Sequence, residues 1–127
     1  MADAEFQHLR LSMVKDVAVV EIRTQDIHGP QLAQELGTEL ALVIAQDWAR
    51  RVLVDFRRVA FLSSAGFAAL FKLVRRAQAE GREVRLCGMG AGMRLGAEIA
   101  GLDKIAEIHD DEGAALRAFA RSGAVVK

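Results

Sequence analysis

One short run, Val52–Phe56, is β-branched and apolar on both faces, Val84–Cys87 reads as the next buried strand, and stretches of helical periodicity stand between and around them. A strand with no polar face must be covered on both sides, as central parallel strands between helices are. Upstream, Leu9, Leu11 and Met13 alternate with His8, Arg10 and Ser12, predicting a half-buried first strand. A tight turn at Lys15-Asp16 returns the chain into a second, Val17–Arg23. Gly29-Pro30 opens a helix with Pro30 at its first position. Leu32, Leu36, Leu40, Val43 and Ile44 carry its apolar stripe to about Trp48.

Ser64 to about Glu80 reads as a second helix stopped by Gly81, and Met93–Ala100 as a short third stopped by Gly101. Ile105–Ile108 predicts a last strand, and Asp111–Ala120 a last helix capped by Asp110 or Asp111. The order ββαβαβαβα predicts an α/β fold with a mostly parallel sheet and an antiparallel first strand.

At 127 residues one domain is expected over 1–127, with roughly 120–127 a loose tail. A formal net charge of +0 argues against a generic polyanion binder, so no nucleic-acid partner is expected. No window approaches the roughly 20 apolar residues of a membrane span. MADAEFQHLR lacks the basic and apolar regions of a secretory signal, and the lone Cys87 cannot form an internal disulfide. A cytoplasmic protein is expected. Charge is nonetheless uneven: residues 50–94 hold ten basic groups against three acidic ones, a net of +7. Such a split can steer an acidic partner, or reflect only Arg-rich solvated ends.

The informative stretch is DFRRVAFLSSAGFAALF, Asp55 to Phe71. It runs from a central strand through a loop into a helix opened by Ser63-Ser64-Ala65-Gly66. In open α/β sheets, ligands and partners favour the crevice beyond the carboxyl ends of the strands. A serine at a helix start caps free N–H groups, and the helix dipole there favours negative charge. Two readings stay open for these serines, helix capping and acceptance of a phosphoryl group. Along the helix, Ser64, Ala68, Phe71 and Arg75 share one stripe, beside a core stripe of Phe67, Leu70, Val74 and Ala77. Phe71 lies between the two, either a partner-facing anchor or a widening of the core.

Residues 52–89, VLVDFRRVAFLSSAGFAALFKLVRRAQAEGREVRLCGM, and the weaker GLDKIAEI resemble the STAS-domain family. These are the bacterial anti-sigma-factor antagonists and their stressosome relatives, and with the order of elements the resemblance covers nearly the whole chain. The family pattern is a strand, an aspartate, a loop with apolar positions, then Asp-Ser-Ser-Gly-Leu opening a helix. Asp55 matches the strand-end aspartate, and Val59, Phe61 and Leu62 match the apolar loop. Gly66 and Phe67 match the Gly-Leu pair, Gly81 the turn glycine, and Gly101-Leu102 the late Gly-Leu. Two positions depart from it: Ser63 replaces the motif aspartate, and Ala65 a common second Ser or Thr.

By that register the resemblance implies that Ser64 is the phosphoacceptor of a protein-interaction switch that is not an enzyme and needs no cofactor. Its implied partner is an anti-sigma factor or serine kinase of the histidine-kinase-like ATPase fold, with a metal-dependent serine phosphatase to reset it. Ser63, Ser64, Ala68, Phe71 and Arg75 are the candidate partner-binding residues, with Asp26 in the loop after the second strand. No membrane partner is implied, and a homodimer stays open.

Other signals carry less. Gly88-Met89-Gly90-Ala91-Gly92 lies between strand and helix, but the third glycine of a dinucleotide fingerprint is absent. Gly88, Gly90 and Gly92 remain a candidate ligand loop or a close-packed turn. No G-x-S-x-G surrounds the serines. His8, on the polar face of the first strand, His28 and His109 read as surface residues. Asp110-Asp111-Glu112 is accounted for by the first turn of a helix, so no metal site is expected. Cys87 reads as a small buried residue. Beside the switch stand two alternatives: a STAS scaffold subunit that never cycles through phosphate, and a domain binding a nucleotide or small molecule.

Overall fold

The computed structural model describes residues 6–126, with side chains through Ser122. A five-stranded sheet is formed by β1 (Leu9–Val14), β2 (Val17–Ile22), β4 (Arg51–Asp55), β6 (Glu83–Cys87) and β7 (Ile108–His109), in the order β1-β2-β4-β6-β7. β1 and β2 are antiparallel and the other pairings parallel. Lys15, at φ 57°, makes the tight turn between the first two strands. The two-residue strands β3 (Asp26–Ile27) and β5 (Phe61–Leu62) form a separate parallel ladder. The helices are α1 (Gly29–Ile44), α2 (Ser64–Ala79), α3 (Ala91–Ile99) and α4 (Glu112–Val126).

Strand β4 lies between β2 and β6, and both its faces are covered, as its composition requires. Val52 and Val54 enter the larger core beneath α1 and α2, with Leu36, Leu40, Leu70 and Val74. Leu53 faces the opposite side, against Ala115 and Phe119 of α4. Helices α1 and α2 sit close, since a Cβ on Gly37 would be 3.9 Å from that of Ala69. Among the described residues no helix is long and apolar enough to cross a membrane.

Several boundaries differ from expectation. Helix α1 stops at Ile44, short of Trp48, because the chain turns to bury Ala49 ahead of β4 and leaves Trp48 44% exposed. Helix α3 begins at Ala91, so Gly92 is helical. The strand expected over Ile105–Ile108 is only Ile108–His109, preceded by a 3-10 turn at Leu102–Lys104. Leu102 and Ala106 are buried there, and the Ile105 carbonyl accepts from the Gln78 side chain at 2.5 Å. These residues are apolar because they pack, not because they pair. Helix α4 continues to Val126, into the stretch read as a loose tail, whose last residue lies outside those described.

Two histidines are not the surface residues expected. His8 is buried between Thr24, 2.5 Å from Nδ1, and Glu35, 3.0 Å from Nε2, tying the start of β1 to α1. His109 is half-buried, with Nε2 3.2 Å from an Arg85 amino group. His28 is exposed, at the N-cap position of α1. Asp111 caps α4, accepting from the Ala114 N–H at 2.8 Å.

At the carboxyl end of the sheet, Glu21 is buried and held by Arg57 Nε at 2.9 Å and Arg58 Nε at 3.3 Å. Burial alone would raise the Glu21 pKa, but the two guanidiniums outweigh it and hold the carboxyl below its ordinary value. A depressed carboxylate stabilises the fold above its unfolded pKa, about 4.3, and that contribution is lost as pH falls through the folded value. Acid titration of urea stability should therefore show a steeper loss below about pH 5 for wild type than for Glu21→Gln.

Candidate functional site

The β3–β5 ladder sets two helix starts side by side. Asp26 pairs with Phe61 and Ile27 with Leu62, and the Ser63 N–H donates to the Ile27 carbonyl at 2.9 Å. One residue further, His28 leads into α1 and Ser63 into α2. The Ser63 hydroxyl accepts from the Gly66 N–H at 3.2 Å, and its carbonyl accepts from Phe67 N–H at 3.0 Å. Gly66 lets Leu62 pack close, since a Cβ there would be 2.3 Å from Leu62 Cδ1 and would displace that side chain.

That arrangement divides the two serines. Ser63 is half-buried and does the capping, whereas Ser64 is the first helical residue and is exposed. The Ser64 hydroxyl stands at the positive end of the α2 dipole, where added negative charge is favoured.

Ser64 opens onto a groove of about 670 Å3 between α2 and α3. Its lining includes Phe61, Leu62, Ser63, Ser64, Ala68, Phe71 and Lys72, with Gly96, Ile99 and Ala100 opposite. α3 comes close through Gly96, where a Cβ would be 2.9 Å from the Phe67 ring. Phe61 is 51% exposed and Ile99 80%, so the rim is apolar surface open to solvent. Phe71 is half-buried: it packs on the core and also lines the groove.

Of the residues singled out in the sequence, Ser63, Ser64, Ala68 and Phe71 thus share one groove. Arg75 is exposed but outside the lining, where the cation is Lys72. Asp26 is exposed on β3, in register with Phe61. The α3 residues are not evident as site residues in the sequence. Ile99 offers one signal, a large apolar side chain two positions from the buried Ala97 and so off its face. Phe61 alternates with the buried Leu62, which is how a two-residue strand presents one side chain outward.

Gly88, Gly90 and Gly92 lie apart from this groove. Gly88 has φ +79°, and a Cβ there would be 2.6 Å from Asp55 Oδ1 and 2.9 Å from the Arg57 nitrogen. It is needed for β6 to pass the turn after β4. Asp55, 2% exposed, accepts from the Arg57 N–H at 3.0 Å and holds that turn. Beside it, Cys87 is buried, and burial together with the Asp55 charge pushes its thiol pKa up, away from reactivity. Gly90 caps α3 by backbone alone.

The STAS domain family model matches residues 17–115. No curated protein sequence matches the chain. Among solved structures, the phosphorylated form of the Bacillus cell fate determinant SpoIIAA superposes with a TM-score of 0.63 at 19% identity, over 87% of this chain and 98% of that one. A serine-to-glutamate variant of RsbS from Moorella thermoacetica gives 0.72 at 18% identity, over 91% and 99%. An anti-sigma factor antagonist from Mycobacterium paratuberculosis gives 0.67 at 23%, over 87% and 91%. The likeness at these identities is one of fold.

Two stability measurements check the division between the serines and the need for Gly88. Ser63→Ala should cost about 1 kcal/mol in urea unfolding through loss of the cap, whereas Ser64→Ala should stay within about 0.5 kcal/mol of wild type. Gly88→Ala should cost about 2 kcal/mol or more, read as a lower urea midpoint, because the added Cβ meets Asp55 and the Arg57 backbone in a left-handed conformation.

Proposed function

The chain belongs to the STAS domain family, and from that premise we propose that it is a protein-interaction switch of the anti-sigma-factor-antagonist kind, read out at Ser64. Its partner is an anti-sigma factor or related serine kinase of the histidine-kinase-like ATPase fold, bound in the unphosphorylated state. The kinase transfers the γ-phosphoryl group of ATP to Ser64 Oγ, ADP leaves, and the hydroxyl proton is released. A serine phosphatase restores the hydroxyl by hydrolysis. The chain itself is not an enzyme and acts in the cytoplasm.

The observation that carries this reading is the separation of capping from exposure. Because Ser63 closes the first turn of α2, the Ser64 hydroxyl is exposed and free of that duty. A phosphate there adds about −1.5 to −2 charges at neutral pH. The helix start tolerates it, so the domain stays folded. A partner seated on Ser64 and the apolar rim of Phe61 and Phe71 would have to desolvate the dianion, which costs several kcal/mol unless the partner brings its own cation. Binding is lost while the fold survives.

The test is affinity capture from the native organism's lysate with wild type and Ser64→Asp as paired baits, alongside phosphopeptide mapping of the endogenous protein. Wild type should retain an ATPase-fold kinase that Ser64→Asp loses, and Ser64 should carry phosphate. If both baits hold the same partners and no phosphate is found, the non-cycling scaffold replaces the switch.

A further inference from the structure

Strand β1 ends the sheet, and among the described residues no strand pairs with its outer side. The opposite edge, β7, is only two residues long, a common way to blunt an edge. β1 has no such protection. Its six residues pair without interruption from Leu9–Ile22 to Val14–Val17, and it carries no proline and only one charge, Arg10.

The direction of its free backbone groups is set by the ladder. The Arg23 N–H donates to the His8 carbonyl at 2.7 Å, and alternate residues of an antiparallel strand bond to the same neighbour. Arg10, Ser12 and Val14 therefore face β2, while Leu9, Leu11 and Met13 turn their N–H and C=O groups outward. The side chains of these three lie on the α1 face, where Leu9 is buried, Leu11 half-buried and Met13 47% exposed.

Helix α1 adds to the same edge. Glu35 bonds the His8 ring, and Glu39 accepts from the backbone N–H groups of Gln7 and His8 at 2.7 and 2.9 Å. These glutamates place the stripe Glu35, Glu39, Leu42 over β1. Leu42, one turn beyond Glu39, is 54% exposed. The outer backbone groups, Met13 and Leu42 together make an unpartnered edge with an apolar flank.

We propose that this edge pairs with the same edge of a second copy of the chain, antiparallel and centred on Leu11, extending the five-stranded sheet across a two-fold axis. The sequence of β1 is self-complementary in that register. Leu11 meets Leu11 of the second copy, and Leu9 meets Met13, so the outward-facing backbone groups bond to one another. On the other face Arg10 meets Ser12, so no like charges oppose. The pairing is isologous and closes on itself, which satisfies both β1 edges and leaves only the two short β7 edges at the ends of the sheet. It is independent of the Ser64 reading: α2 lies between α1 and the groove, so the dimer leaves Ser64 exposed.

Sedimentation equilibrium of the full chain, from micromolar concentration upward, should give a species of twice the 13.8 kDa chain mass. Ser12→Arg puts an arginine opposite Arg10 on both sides of the axis and should weaken the dimer about tenfold or more, with an unchanged circular dichroism spectrum. Leu11→Cys should cross-link under mild oxidation, since Cα atoms in a bonded antiparallel pair are about 5.5 Å apart, within disulfide reach. A monomer at every concentration, a dimer insensitive to Ser12→Arg, or a dimer that Leu11→Cys does not cross-link would each overturn the proposal. If Leu11→Cys loses its native spectrum, cross-linking of mixed Arg10→Cys and Ser12→Cys chains tests the same register.

Discussion

The carboxylate of Asp55 ends β4 and fixes the path of the chain from there to α2. It is buried at the carboxyl edge of the sheet and spends one oxygen on the Arg57 N–H. That bond turns the chain sharply after Phe56, whose own N–H reaches across to the Cys87 carbonyl. The Val59 N–H returns to the Phe56 carbonyl, those of Ala60 and Phe61 both find the Gln25 carbonyl, and that of Ser63 finds Ile27. From β4 to α2 the backbone is thus held by named acceptors, so the exposed Ser64 sits on a rigid support although its segment is mostly loop. An interaction surface there would profit from this, because a loop ordered before binding loses less entropy when a partner arrives.

The same end of the sheet is arranged in two halves with different roles. On the α4 side, Glu21 and Asp55 are balanced by Arg57 and Arg58, and Gly88 lets the neighbouring turn approach. This half is stitched together by charge and is structural. On the α2 side, the groove lined by Phe61, Ala68 and Phe71 is apolar, with Lys72 its cation. The arginines responsible for most of the positive charge between residues 50 and 94 are therefore a poor guide to the site. Arg82 donates to backbone carbonyls, and Arg51 and Arg85 are engaged by Glu83.

How far the sequence can be read depends on the range of the interactions involved. Strands β2, β4 and β6 are legible as short, mostly apolar runs, and helices α1 and α2 because their apolar periodicity is local and long enough to show 3.6 residues per turn. β3 and β5 are not, since two residues have no period and their pairing joins positions far apart in the chain. The short β7 misleads for the converse reason: Ile105 and Ile108 look like strand residues, but Gln78 and the buried Leu102 draw the first of them into a turn. His8 looks exposed because burial of a polar ring depends on Thr24 and Glu35, which no local pattern brings to it. In the site, the α2 residues are readable from helical spacing, while Gly96, Ile99 and Ala100 come from a helix whose position only the tertiary fold determines.

The replacement of the family's motif aspartate by Ser63 has a physical sense within this geometry. Serine and aspartate cap a helix about equally well, so the first turn of α2 loses little by the exchange. What changes is charge. An aspartate would bring a permanent negative group to the helix start, beside Ser64, and a phosphate on Ser64 would have to share the helix dipole with it. With serine as the cap, the Gly66 N–H is still satisfied and the dipole remains uncommitted. A phosphoryl group on Ser64 would then add its charge to a groove whose lining holds one cation, Lys72, and no carboxylate. Under the proposed switch, the field that a partner meets would then differ more between the two forms than in a site already bearing a carboxylate. The same substitution removes a carboxylate that a kinase could use to orient the hydroxyl, so a sharper distinction between states comes with a weaker handle for producing it.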